Sequence, residues 1–223
     1  MQPRLLAIII TILPLIATNA VYLLSAYEGN VPWCNPYFDG CTTISKAARS
    51  GNSIYIYRAT MIAYSVLLIW FWIYTSQWLL KLLGEVTRLS KTIMWLGIVG
   101  ALFLMIYIDF LGTTGEINRF MRRYGIMVFF TFTPLAQVLL LKLHFKALSA
   151  AASDNLKRPV LRFQLYVLLI MCIIGVASLI LDVAQLKTYQ SENIVEWTFA
   201  FLLNIYFAGM VYIWRDYRYR LSE

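Results

Sequence analysis

Apolar residues run along this chain in six long blocks, separated by segments where polar and turn-forming residues collect. The blocks fall at about 5–24, 55–80, 92–111, 125–143, 163–186 and 195–214. Each is at or near the length of roughly 18 apolar residues at which a helix becomes a candidate to cross a bilayer. The pattern predicts an all-α integral membrane protein, a six-transmembrane-helix bundle forming one domain over residues 1–223. Its longest polar connection is the first loop, at 25–54.

Within this frame single residues carry further expectations. The first block follows Arg4 and contains Asn19-Ala20, features of a cleaved signal peptide. Its apolar run continues through Val21 to Leu24, long enough for a retained span. Thr11 and Asn19 share a face and are expected to bond between helices. Tyr55, Tyr57, Tyr74 and Trp78 sit at the two ends of the second block, as interfacial aromatic belts do. Gly97 and Ala101 are spaced for close helix contact. Arg119, Arg122 and Arg123 are expected in a turn before the fourth block, which Pro134 should kink or locally open. His144–Arg162 reads as the second-longest polar connection, and Arg215–Glu223 as an interfacial anchor.

Composition supports the membrane class. Hydrophobic residues make up 61% of the 223 positions and charged residues 13%, against about 25% charged in soluble domains. The net charge of +8 therefore reads as topology determinants and lipid-headgroup contacts, with no nucleic-acid surface among them. With the N-terminus inside, the inner segments hold Arg4, Lys81, Arg88, Lys91, Lys142, Lys146, Lys157, Arg158, Arg162, Arg215, Arg218 and Arg220. The outer segments hold Lys46, Arg49, Arg58, Arg119, Arg122, Arg123 and Lys187. This bias predicts a multi-pass protein of the cell (inner or plasma) membrane, with both termini cytoplasmic and the first loop extracytoplasmic.

The first loop carries Cys34 and Cys41, with Pro36 and Gly40 between them to turn the chain back. An oxidising compartment would close a small-loop disulfide here, and the alternative is two unpaired thiols. No metal site is expected, because a second cysteine pair is missing and His144 maps to the opposite side. Cys172 reads as an apolar filler. Thr42-Thr43 precedes Ile44–Arg49 as the cap of a short helix ended by Gly51.

Ionisable residues at membrane depth are the candidates for function. Arg58, Asp109, Asp182 and Glu196 all map to the end of the bundle beneath the first loop. From a rise of 1.5 Å per residue, Asp109 stands about 26 Å above Thr92 and Asp182 about 30 Å above Arg162. Gly175, Ser178, Asp182 and Gln185 share one face of the fifth block, and Asn204 lies two turns below Glu196. Either Arg58 pairs with carboxylates to fix the helices, or these groups line a polar cavity. A lipid phosphate would suit Arg58, with Arg122 and Arg123 as helpers. Sequence motifs of hydrolases and nucleotide-binding proteins are missing, and no catalytic residue or cofactor is indicated.

The run Asn193-Ile-Val-Glu196-Trp197, continuing to Tyr206-Phe207 and Trp214-Arg215-Asp216-Tyr217, resembles the last helix of the Frag/DRAM/Sfk family, where a Glu-Trp pair opens the sixth helix. The loop segment Asn35-Pro36-Tyr37-Phe38-Asp39-Gly40 with Ile44-Ser45 is similar to that family's extracytoplasmic Pro-Tyr-Ile-Ser-type motif, altered by Phe38-Asp39 and the cysteines as in a divergent, bacterial branch. The resemblance covers nearly the whole chain. It implies six helices with cytoplasmic ends and work on lipids, since relatives serve lipid remodelling of GPI anchors, autophagy, and phosphoinositide and lipid-asymmetry homeostasis. Glu196, Trp197, Pro36 and Tyr37 match its motif positions. The leading expectation is a lipid sensor or accessory factor that binds membrane lipids at the outer leaflet. The alternatives are an intramembrane lipid hydrolase or acyltransferase using Asp109, Asp182 or Glu196, and a subunit docked on a membrane-protein partner.

Overall fold

A computed structural model describes residues 1–150 and 156–217. The described chain is helical: α1 (Pro3–Tyr27), α2 (Ile44–Ala48), α3 (Ser53–Leu83), α4 (Arg88–Phe110), α5 (Glu116–Ser149), α6 (Arg158–Val183) and α7 (Tyr189–Ile213). Six of these are long and apolar enough to cross a membrane, and α2 is the short helix of the first loop. Arg218, Arg220 and the rest of the tail beyond residue 217, expected as an anchor, lie outside the described residues.

Local chemistry sets the helix ends. Thr43, Thr87 and Thr188 each accept a backbone N–H three residues on through the side chain, satisfying a donor the helix cannot use. Pro3 and Pro159 occupy first-turn positions where no N–H is needed. Helix α3 stops at Gly84, which takes a left-handed φ of 76°.

The six long helices form a ring. α1 packs on α3, α3 on α4, and α4 on α5; on the other side α1 packs on α7, and α7 on α6. The α5–α6 seam is the loosest of the ring. All the buried residues of α6 lie between Leu161 and Met171. From Cys172 onward its side chains are exposed or half-buried, and a Cβ on Gly175 would meet nothing within 4 Å.

Lipid tails are as apolar as leucine, so shape and hydrogen bonds hold such a bundle together. Phe71 and Phe207 pack edge to face, with centroids 4.9 Å apart, beside Trp72 and Trp214. A Cβ on Gly97 would lie 2.1 Å from the Trp72 ring, so glycine admits the indole between α3 and α4. Tyr64 donates to Asn204 Oδ1 at 3.0 Å, Gln137 Nε2 to the Leu203 carbonyl at 2.9 Å, and Tyr206 to the Gln137 carbonyl at 2.9 Å.

Several expectations are corrected. The fourth block begins nine residues early, so Arg119, Arg122 and Arg123 lie on α5 rather than in a turn. The same helix continues beyond Leu143 to Ser149, which places His144 inside the bundle. There its Nε2 accepts the Trp78 indole N–H at 3.2 Å. Tyr57, Tyr74 and Trp78 are buried, leaving only Tyr55 of the expected belt exposed. Thr11 bonds to its own helix at Ala7, and Asn19 reaches the first loop through Tyr37 rather than another span. Cys172 is exposed at the open seam.

Candidate functional site

The first loop is a folded cap. Cys34 and Cys41 are joined in a disulfide, and Asn35 and Asp39 close the turn between them by bonding to the Tyr37 and Asn35 backbone N–H groups. Tyr22 of α1 rises into this turn, where its hydroxyl accepts the Cys34 N–H at 2.8 Å and donates to the Cys34 carbonyl at 2.7 Å. The loop base is tied by Glu28, which accepts from the backbone and side-chain amides of Asn52.

The cap is held down by one face of α7. Asn193 donates to the Gly40 carbonyl at 2.7 Å, Glu196 Oε1 accepts the Ser45 N–H at 3.3 Å, and Trp197 donates to the Thr42 carbonyl at 2.9 Å. The spacing i, i+3, i+4 puts all three side chains on adjacent turns. Gly40 has φ 58°, and a Cβ there would lie 2.1 Å from the Gln190 carbonyl oxygen, so only glycine fits this approach. Tyr37 packs its ring on Trp197 at 5.2 Å and on Phe201 at 6.2 Å, with Pro36 buried beside it. Burial raises the Tyr37 phenol above its ordinary pKa, with the Asn19 hydrogen bond acting the other way. The loop motif and the Glu-Trp pair, more than 150 residues apart, therefore meet as a docking joint.

Beside this joint is a cavity of about 510 Å³ between the cap, α4, α5 and the loop end of α6 and α7. Arg49, Arg119, Arg122, Arg123 and Lys187 line it, against Glu192 and Glu196. Lys187 pairs with Glu192 at 3.5 Å and with Asp182 at 3.7 Å. Among the described residues none of the four arginines pairs with a carboxylate. Arg122 braces the α4–α5 turn by donating to the Phe110 and Thr113 carbonyls. Arg49, Arg119 and Arg123 are exposed.

The walls change character along α5. Arg119, Arg122 and Arg123 are followed on the same side by Ile126 and Phe130, which line the cavity too. Pro134 and Val138, one and two turns further, line a cleft of about 310 Å³ at the open α5–α6 seam, opposite Met171, Cys172 and Gly175. Phe199 of α7 borders both spaces. At 1.5 Å per residue, Arg123 to Val138 is roughly 22 Å, longer than half of a hydrocarbon core about 30 Å thick.

The structure thus brings together three of the expected site residues, Glu196, Arg122 and Arg123. Arg58 lies elsewhere: it donates to the Asp109 and Leu111 carbonyls, at 3.2 and 2.6 Å, and caps the end of α4. Asp109 is exposed and meets Arg58 only through its backbone. Asp182 is held at the rim by Lys187, and Trp197 serves the cap. Arg49, Arg119, Lys187 and Glu192 are additional lining residues; the run Arg119, Arg122, Arg123, Ile126, Phe130 has helical spacing that carries their signal. No family model, curated protein or solved structure matches this chain.

Proposed function

We propose that this protein binds a membrane phospholipid, its anionic phosphate lodged in the cationic cavity and an acyl chain laid along the α5–α6 seam. The observation that carries this reading is the graded α5 face, with arginines that pair with no carboxylate among the described residues at one end and an apolar cleft at the other, about 22 Å apart. Guanidinium groups match phosphate oxygens bidentately, and a laterally open seam admits a ligand from the bilayer. The lysine and arginine bias, together with the disulfide, supports a cell-membrane protein with cytoplasmic termini and the cap outside, hence a site in the outer leaflet. The meeting of Pro36-Tyr37 with Glu196-Trp197 supports the Frag/DRAM/Sfk-like reading, a lipid sensor or accessory factor in lipid homeostasis.

Native mass spectrometry of gently extracted protein tests the reading. Arg119→Gln with Arg123→Gln leaves the Arg122 brace in place. At about 1 kcal/mol per basic residue near a charged lipid surface, the pair should lower retention of phospholipid by about 30-fold. Undiminished retention in a folded variant would refute the site.

A further inference from the structure

The cationic cavity has an inner annex. A second, smaller cavity of about 40 Å³ lies inside the bundle, sharing Tyr107, Ile126, Phe130 and Glu196 with the outer one. Glu196 stands at the junction, the one carboxylate among the described residues that lines both spaces. Tyr57, 3% exposed, lines the same annex, and its hydroxyl bonds to no group among the described residues. Buried polar groups are rarely left without a partner. An unpartnered hydroxyl in a space above the roughly 10–15 Å³ that one water needs marks a seat for a small polar group.

The geometry points to a subsite that selects a hydrogen-bond-donating head alcohol on the bound lipid. This rests on the lipid reading above and specifies its ligand: a phosphodiester whose head alcohol ends in a hydroxyl or a primary ammonium. The phosphate stays with the outer arginines, and the terminal group enters the annex. There it donates to the Glu196 carboxylate, which keeps its Ser45 N–H contact, and meets the Tyr57 oxygen. A hydroxyl would accept from Tyr57 as well; an ammonium only donates. A quaternary choline has no donor and is too large for the annex, and a phosphatidic acid has no head alcohol to send there. Each would leave Glu196 and Tyr57 without the group they face.

Full-length protein is offered equal amounts of phosphatidylethanolamine, phosphatidylglycerol, phosphatidylcholine and phosphatidic acid with identical acyl chains, and bound lipids are weighed by native mass spectrometry. The expected result is at least about tenfold preference for ethanolamine or glycerol lipid over choline lipid and phosphatidic acid. Which of the two wins identifies the donor as ammonium or hydroxyl. Tyr57→Phe touches no hydrogen bond of the cap and should shrink the preference several-fold without loss of total lipid; Glu196→Gln, which still accepts from Ser45, should shrink the preference as well. Equal retention of all four lipids by the wild type, or an unchanged preference in both variants, overturns the subsite and leaves lipid binding standing. Retention of none overturns the lipid reading itself and this inference with it.

Discussion

Replacing Trp197 by phenylalanine should loosen the cap without unfolding the bundle. The indole is 1% exposed, donates to the Thr42 carbonyl at 2.9 Å, and packs edge-on against Tyr22 and Tyr37. Phenylalanine keeps most of the ring contact and removes the N–H. Thr42 is fully buried, so its carbonyl is left without a partner, at a cost of about 1–3 kcal/mol. The smaller ring leaves a void worth about 1 kcal/mol more. The sum, about 2–4 kcal/mol, lowers the free energy of local opening and should speed amide exchange in residues 32–43 by about 30- to 900-fold. Hydrogen-exchange mass spectrometry in nanodiscs reads this directly. Trp33 on the same loop is 64% exposed, and Trp33→Phe should change exchange by no more than about twofold. A change below threefold in Trp197→Phe would refute the assignment of cap docking to this indole hydrogen bond.

Three further outcomes follow from the geometry. Gly97→Ala drives a methyl against the fully buried Trp72 ring and should cost about 1–3 kcal/mol, measured as a lowered midpoint of thermal unfolding in detergent. Cys34→Ser removes a bridge of sequence separation 7; by loop-closure entropy the loss is about 2.5 kcal/mol, and the same loop exchange experiment should show it confined to the cap. Cys172 lines the open seam, so a membrane-soluble maleimide should label it, and saturating phospholipid should slow that labelling; unaltered labelling would place the acyl chain elsewhere.

The number of helices and their order were legible because a chain in hydrocarbon must satisfy its backbone within each span. Long apolar runs therefore announce themselves without reference to the rest of the molecule. The short loop helix was legible for the same local reason, since Thr43 and the residues after it carry their own cap. The helix ends were less so. Glu116–Arg123 reads as polar connection by composition, yet it continues α5, where its arginines extend the helical face of Ile126 and Phe130.

Which way each side chain faces was not written in the sequence. In water, the alternation of polar and apolar residues marks the inward face; in lipid both faces are apolar, and that mark is erased. Tyr57, Tyr74 and Trp78 thus looked like interfacial anchors and lie in the core, while Cys172 looked like filler and lies exposed. Arg58 and Asp109 share a level, which sequence could show. That Arg58 takes backbone carbonyls rather than the carboxylate depends on how α3 meets α4. Only the assembled ring, loose at its α5–α6 seam, decides that Glu196 sits between two cavities and that Gly40, Thr42 and Ser45 find their partners on α7. Spans are local properties of the chain; a cavity is made by chain segments far apart in sequence, and its walls exist only once the helices have chosen their neighbours.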